Sequence, residues 1–328
     1  APLVPKTSAY TNSATSPILK AMILKRILRN PLMYYNENMR RIFFFTIYIL
    51  FFAVISSLLF TLLYMQFDEQ PMLALNKAIK YGAILLCGIF IIPAMKAQNL
   101  YDRQKVGYTE PKALFILNMF KGLFISIIFL APLILSFTYL NMRIVDFETF
   151  VFDKSLIYLM IFTLFISFLI SVIEESFFRG IMIQKINNLV LTFFVLLSGS
   201  LVYSLFHFIK IPLIIDEELY WNTGLIELVN VFLNFLNNIS YDAALTLLMF
   251  GILLGVIRLN LKTISYCIGI HAGFIFTIKI YKQISTVNSD SNYYFLFSTY
   301  DHFLGTLATT WISIFLLFYL IYLYKTKL

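Results

Sequence analysis

Long apolar segments separated by short polar ones run through most of the chain. A helix needs about 20 apolar residues to cross a hydrocarbon core. Segments of this kind lie at 42–64, 78–95, 115–140, 156–183, 189–213, 241–259, 264–281 and 302–324. They lack the two-residue alternation of a membrane β-barrel, and a chain in lipid must satisfy its own backbone hydrogen bonds. The pattern therefore predicts an all-α fold, a polytopic transmembrane helical bundle with about eight spans.

The composition agrees with an integral membrane protein, since 60% of the 328 residues are hydrophobic and only 13% are charged. The net charge of +8 alone would suit nucleic acid or anionic lipid as a partner. Its distribution favours lipid, because basic residues gather before the first segment and in alternate connections, with acidic residues in the others. By the positive-inside rule we expect a multi-pass protein of the cell membrane with both termini cytoplasmic, no nucleic-acid partner and no particular oligomeric state.

Four regions follow from these segments. Residues 1–41 form a cytoplasmic arm, with a basic amphipathic helix or a solvated segment at 18–29, before Pro31. Residues 42–150 hold the first transmembrane helices, and residues 151–285 hold a core with unusual polar groups. Residues 286–328 are an outer loop and a last span, and 211–240 is an outer loop with an interfacial helix. Cys87 and Cys267 lie in apolar segments, where we expect small packing residues.

Three charged residues interrupt one of the apolar segments, in the sequence SVIEESFFRG at 171–180. An ionisable group inside a span costs about 2.5–3.5 kcal/mol on insertion scales, so each needs a reason. On a helix Glu175 and Arg179 are four residues apart and share a face, so they can form an ion pair. Glu174 is rotated from Glu175 by about 100° and is left without that partner.

Two of the three histidines also lie in apolar segments, at His207 and His271. Either one alone would most often be a hydrogen-bonded packing residue. Together with Glu174 they allow two kinds of site: a carboxylate and imidazoles that activate a water, or three ligands of a zinc ion with an open fourth position. His302, beside Asp301 at the start of the last span, is expected to lie at the outer interface without a chemical role.

These polar groups resemble the motifs of the CAAX protease and bacteriocin-processing intramembrane proteases. The first motif, Glu-Glu-x-x-x-Arg followed by Gly, is present as Glu174, Glu175, Arg179 and Gly180. The second, Phe-x-x-x-His, is present as Tyr203 to His207, with Tyr for Phe. The third, His-x-x-x-Asn, is present as His271 with Ile275 in place of Asn. The resemblance covers roughly residues 156 to 281, and it includes a Gly-rich approach to His271 that contains Gly251 and Gly255.

The resemblance implies a role for each residue in a CAAX protease-like core at 151–285. Glu174 would activate the attacking water with His207, and His271 would face the substrate oxyanion. Glu175 and Arg179 would hold the geometry of the site. The resemblance implies a metal-free reaction without a cofactor on a peptide or protein substrate. If a metal were needed, Glu174, His207 and His271 would be its ligands. Ile275 cannot donate the hydrogen bond that an Asn would supply.

Three functions remain open at this point. The first is an endopeptidase that cuts a membrane-associated or exported peptide or protein. The second is a non-proteolytic scaffold or bacteriocin-immunity protein of the same family, and the third is a transporter with a proton relay.

Straight helices would keep Glu174 and His207 apart, so we expect a break near Gly180 or a kink at 198–200.

Overall fold

Ten helices and a short two-stranded sheet make up the part of the chain that the computed structural model describes. That part is residues 17–67, 73–145, 154–184, 188–214 and 219–326, with side chains described from residue 32, except that of Ser155. The elements are α1 (Pro17–Tyr64), α2 (Leu75–Ala97), α3 (Lys112–Tyr139), β1 (Arg143–Val145), α4 (Lys154–Glu175), α5 (Leu189–Phe206), α6 (Thr223–Leu233), α7 (Phe235–Asn238), α8 (Tyr241–Leu261), α9 (Ser265–Gln283), β2 (Ser285–Val287) and α10 (Thr306–Thr326). A π-helical turn, Ser176–Ile181, continues α4. The prediction of an all-α membrane bundle is confirmed.

Each of the eight predicted segments lies largely on one long helix, and seven of these helices are long and apolar enough to cross a membrane. Among these eight helices the exception is α9, which holds the predicted segment 264–281. Nearly all of its first half is buried against other helices. A helix segment enclosed by protein needs no continuous apolar surface for lipid, so this half of α9 can carry His271. Its two lysines, Lys279 and Lys282, lie in the more exposed second half.

The connections between the long helices gather at the two ends of the bundle, which we call the lower end and the upper end. At the lower end, Gln184 and Arg258 donate to the carbonyl of Lys105, and Ile264 N–H donates to Gly107. At the upper end, β1 pairs antiparallel with β2, and the loop 284–305 covers residues that follow α5. Successive long connections therefore alternate between the two ends, as expected for a chain that crosses a membrane repeatedly.

A close helix crossing places α9 in the centre of the bundle. Gly269 and Gly122 face each other at the crossing of α9 with α3, and a Cβ at position 269 would overlap the carbonyl oxygen of Met119. The lack of side chains lets the two backbones touch, which is how membrane helices commonly associate. Gly251 and Gly255 of α8 likewise pack against Ser200 and Leu196 of α5. The small residues in the Gly-rich approach thus hold α8 on α5.

The half-buried carboxylate of Glu110 joins the lower ends of α3 and α9. Glu110 accepts hydrogen bonds from Asn118 of α3 at 2.8 Å, from Thr263 at 3.1 Å and from Ser265 at 2.7 Å. A carboxylate at a helix N-terminus satisfies polar groups and interacts favourably with the helix dipole. Glu110 therefore locks the register in which α9 enters the bundle.

The structure tests several details that the sequence predicted, and some of them differ. Helix α1 runs without interruption through Pro31, so the segment 18–29 belongs to the first long helix. His302 precedes the last span, because α10 begins only at Thr306; its φ of 55° belongs to a turn. Segment 211–240 contains the helix α6, which packs on α1 through Gly224 and Thr61; its interfacial position stays a prediction. Neither cysteine forms a disulfide, and Cys267 is buried as expected, whereas Cys87 is half-buried.

Other expected features lie outside the described residues. These are the first 16 residues of the arm and the acidic connections, at 68–69, 146–153 and 216–218, together with Lys185 and Lys327. The orientation of the bundle in a membrane, the cell membrane as its location and the four-region division stay predictions.

Substituting Gly269 with Ala should destabilise the bundle, because the added methyl group forces α9 away from α3. Overpacking of this kind costs about 1–3 kcal/mol. Gly88→Ala is the matched control, because no atom lies within 4 Å of a Cβ built there. Thermal unfolding of the detergent-purified proteins should show a clearly lower Tm for Gly269→Ala only. Equal Tm values would contradict the close α3–α9 crossing.

Candidate active site

The site forms where three separate parts of the chain meet: the end of α4, the end of α5 and the middle of α9. The α-helical pattern of α4 ends at Glu175, and the wider π-helical turn follows at once. Gly180 in that turn lies against the backbone of Val106, where a Cβ would be 2.7 Å from the carbonyl oxygen. The predicted break near Gly180 therefore takes the form of a π-helical turn. Such turns occur often at functional sites.

Glu175 is the central acceptor of the site. Its Oε1 accepts hydrogen bonds from Arg179 Nη1 at 2.9 Å and from His271 Nδ1 at 2.7 Å. The carboxylate is fully buried, and the Arg179 side chain is 1% exposed. The predicted ion pair of Glu175 with Arg179 is present. The hydrogen bond to His271 was not predicted, because residues 96 positions apart give no signal in the sequence.

Glu174 lies on the other side of the same imidazole. Its Oε2 is 3.9 Å from Nε2 of His271, and its side chain is 28% exposed. Within the described part of the chain, no hydrogen bond reaches this buried oxygen. The ring of His271 thus stands between Glu175, which binds it through Oε1, and Glu174, whose Oε2 is left for another group.

His207 caps the C-terminal end of α5, and its ring is oriented by the backbone. Nδ1 is 2.9 Å from the carbonyl oxygen of Tyr203. Because a carbonyl oxygen only accepts, Nδ1 carries the proton, and in the neutral ring Nε2 keeps a free lone pair. Its ring centroid is 4.6 Å from that of Tyr203, whose ring also packs against Arg179 and His271, so His207 lies in the same cluster.

Tyr203 packs against all the cationic and imidazole groups of the site. Its ring centroid is 4.2 Å from Cζ of Arg179, 4.6 Å from the ring of His207 and 6.2 Å from that of His271. The side chain is 1% exposed. An aromatic face against a buried guanidinium stabilises the charge by a cation–π interaction. This role of Tyr203 was missed, although its place four residues before His207 on a helix was a usable signal.

The remaining candidates fall on different sides. Ile275 lies one turn beyond His271 on α9 and is half-buried. The hydroxyl of Ser265 is bonded to Glu110 at the lower end, six residues from His271 or about 9 Å along the helix, so it lies too far away to serve as an oxyanion donor. His302 lies in the upper loop, with Nδ1 at 3.4 Å from Tyr294 Oη. The described residues contain no group of three or more His, Cys, Asp and Glu side chains arranged to hold a metal ion.

Residues 156–277 match the model of a protein family described as type II CAAX prenyl endopeptidase Rce1-like. The match confirms the resemblance indicated by the three motifs, for 122 of the 328 residues, and it includes Glu174, Glu175, Arg179, His207 and His271. No curated protein matches the chain. No solved structure matches it either.

The matched family is one of membrane-bound peptidases. With seven helices suited to crossing a membrane, the match supports a CAAX-type intramembrane protease at the level of the family. The chain is thus similar to hydrolases that act on peptide or protein substrates.

The fully buried ion pair of Glu175 and Arg179 should contribute more to stability than a partly exposed pair. Glu175→Ala leaves Arg179 and His271 without their shared acceptor, and breaking a buried pair costs about 3–5 kcal/mol. Glu37→Ala is the matched control, because it removes a partly exposed pair with Arg41 at the same i,i+4 spacing. We expect thermal unfolding to show a large loss of stability for Glu175→Ala and for Arg179→Ala. If either were as stable as Glu37→Ala, the pair would not support the fold.

Proposed function

We propose that the chain is an intramembrane endopeptidase in which Glu174 and His207 activate a water molecule and His271 stabilises the oxyanion. The observation that carries the proposal is the position of the His271 ring, with Nδ1 on Glu175 and Nε2 facing Glu174. A ring held on one nitrogen by a buried carboxylate has a fixed orientation, so its other nitrogen can be aimed at a reacting atom.

The proposed role of His271 needs protons on both nitrogens of its ring, because Nδ1–H donates to Glu175 and Nε2–H must donate to the oxyanion. Glu174 and Glu175 bring two negative charges, and Arg179 brings one positive charge. With protons on both nitrogens of His271 the four groups are neutral together, and Nε2–H becomes a donor. Charge balance is important here because an uncompensated charge away from water is costly.

The proposed reaction needs only groups of this chain and a water. Glu174 Oε2 accepts a proton from the water as its oxygen attacks the carbonyl carbon of the peptide bond, and Nε2 of His207 accepts a hydrogen bond from that water. The negative charge that develops on the carbonyl oxygen faces Nε2–H of His271. The tetrahedral intermediate then collapses, the C–N bond breaks, and the proton on Glu174 passes to the leaving nitrogen. The products are an amine and a carboxylic acid, which then releases its proton to water.

The surroundings of Glu174 favour a substrate that is associated with the membrane. Helix α4 packs on α9 and presents large apolar side chains on its opposite face, which suits lipid. The exposed residues of that face are Ile157, Tyr158, Ile161, Phe162, Phe165, Leu169 and Ile173. We therefore propose that the substrate is a membrane-associated or exported peptide or protein, cut by a multi-pass protein of the cell membrane with cytoplasmic termini.

Three substitutions test the proposed roles. Glu174→Gln, His207→Ala and His271→Ala should each lower kcat for cleavage of a reporter peptide library by at least about 10²-fold, because each removes a group from the transition state. Membrane insertion should be retained. His302→Ala is the matched control, since the third histidine lies in the upper loop. The assay includes a chelator, which should leave the wild-type rate unchanged. Wild-type turnover in any of the three variants would remove that residue from the mechanism.

Position 275 supports one competing function. The motif has an amide four residues after the histidine, and Ile275 offers no donor there. A non-proteolytic scaffold or immunity protein of the same family would tolerate this difference. Such a protein would bind its partner equally well with Glu174→Gln, whereas the endopeptidase would convert from cutting the partner to holding it.

Replacing Ile275 with Asn should leave cleavage unchanged or raise it. Positions 271 and 275 are one turn apart, so the new amide would point to the same side as the imidazole. Removal of one oxyanion donor elsewhere costs about 10²–10³-fold in kcat, so an added donor has room to act. The measurement is kcat for the reporter peptide, with Ile275→Leu as an apolar control. Loss of activity in a folded Ile275→Asn variant would show that Ile275 packs against substrate or a helix and that the donor comes from another group.

A further inference from the structure

The geometry points to Tyr300, in the upper loop, as a positioning residue that sets the tautomer of His207. We propose that the Tyr300 hydroxyl holds the tight turn at the end of α5 in which the imidazole is oriented. The functional part of this inference rests on the proposed role of His207. Tyr300 lies outside residues 156–277, so it belongs to a part of the chain that the family match does not cover.

The last backbone hydrogen bonds of α5 span three residues, which makes a tighter turn than that of an α-helix. The N–H of His207 bonds to Ser204 at 3.2 Å, that of Phe208 to Leu205 at 3.0 Å, and that of Ile209 to Phe206 at 3.3 Å. Each bond reaches back three residues, where an α-helix reaches back four. The carbonyl oxygen of Tyr203 therefore receives no hydrogen bond from the N–H of His207, and it accepts Nδ1–H of the His207 ring. The tight turn and the Nδ1–H tautomer depend on each other.

Tyr300 holds this turn from the other side. Its hydroxyl donates to the carbonyl oxygen of His207 at 3.0 Å. Its ring packs on Phe208, with centroids 4.8 Å apart, and Nζ of Lys210 lies 3.7 Å from its centroid on a cation–π contact. Three successive contacts thus fasten residues 207, 208 and 210 to one tyrosine. The carbonyl of His207 is one of the last in the helix, and it needs a donor from outside the helix.

The loop that carries Tyr300 is itself anchored to two helices. Ser298 is fully buried and donates to Asp242 at the start of α8 at 3.0 Å. Asp301 forms an ion pair with Lys282 at the end of α9 at 2.7 Å. Asp301 Oδ1 also accepts two backbone N–H groups, from Phe303 and Leu304. Tyr300 is therefore held between α8 and α9, and it transmits their position to His207.

The sequence makes a direct measurement possible, because the chain has only three histidines. Nitrogen-15 NMR of histidine-labelled protein in detergent distinguishes the two tautomers, and loss of a signal in His207→Ala assigns that ring. The wild-type protein should show the Nδ1–H tautomer at His207. Tyr300→Phe keeps the ring contacts and removes the hydroxyl, so the tautomer ratio should move toward Nε2–H by about fivefold, the effect of one net hydrogen bond.

The matched control is Tyr294→Phe, which removes a hydroxyl from the same loop. Tyr294 contacts His302, so this variant should change the His302 signal and leave that of His207 as in the wild type. An unchanged His207 signal in Tyr300→Phe would overturn the inference. An equal change of the His207 signal in Tyr294→Phe would also overturn it, because any loosening of the loop would then have the same effect.

The kinetic part is measured on the same proteins. Tyr300→Phe should lower kcat by about three- to tenfold with KM unchanged, because a misplaced base affects the chemical step and leaves binding intact. Tyr294→Phe should match the wild type. A tautomer change without a change in kcat would overturn the functional part. If the wild-type protein cut no peptide at all, the proposed function would fail, and the NMR result would still decide whether Tyr300 positions His207.

Discussion

The buried Glu175 carboxylate is the interaction on which the rest of this structure depends. A full negative charge without exposed surface is stable only with cationic or hydrogen-bonding partners. Arg179 supplies one partner from the same helix face, and His271 supplies the other from α9. The chain must therefore bring α9 to the end of α4, and this requirement links the energetics of the fold to the geometry of the site.

The packing of α9 meets that requirement by close approach. Gly269 allows the backbone of α9 to touch α3, and Glu110 fixes the entry of α9 at the lower end. The π-helical turn after Glu175 begins at the point where α4 meets α9. With α9 surrounded by other helices, His271 can sit 4% exposed in the centre of a membrane protein. The candidate site residues therefore lie on helices or at their ends.

The candidate site residues and many of the residues that support them lie in different parts of the chain. Residues 156–277, which match the peptidase family, hold all five predicted site residues. The loop that follows them fastens the end of α5 through Tyr300. Helices α1 to α3 contribute packing surfaces, such as Phe45 of α1 against Phe177 of the π-helical turn. The parts of the chain outside the family match therefore act on the site indirectly, by holding the helices that carry it.

The sequence by itself determined the helical membrane fold, the eight helix-forming segments and the five polar residues of the site. It did so because the cost of burying charge and backbone polar groups in lipid leaves few alternatives. The pair of Glu175 and Arg179 was predictable because i,i+4 neighbours meet on any helix. Only the tertiary structure decided that His271 bonds to Glu175, that Tyr203 packs against Arg179 and that Tyr300 reaches His207. These contacts join residues on different elements, or depend on a departure from α-helical geometry, and neither follows from a local periodicity.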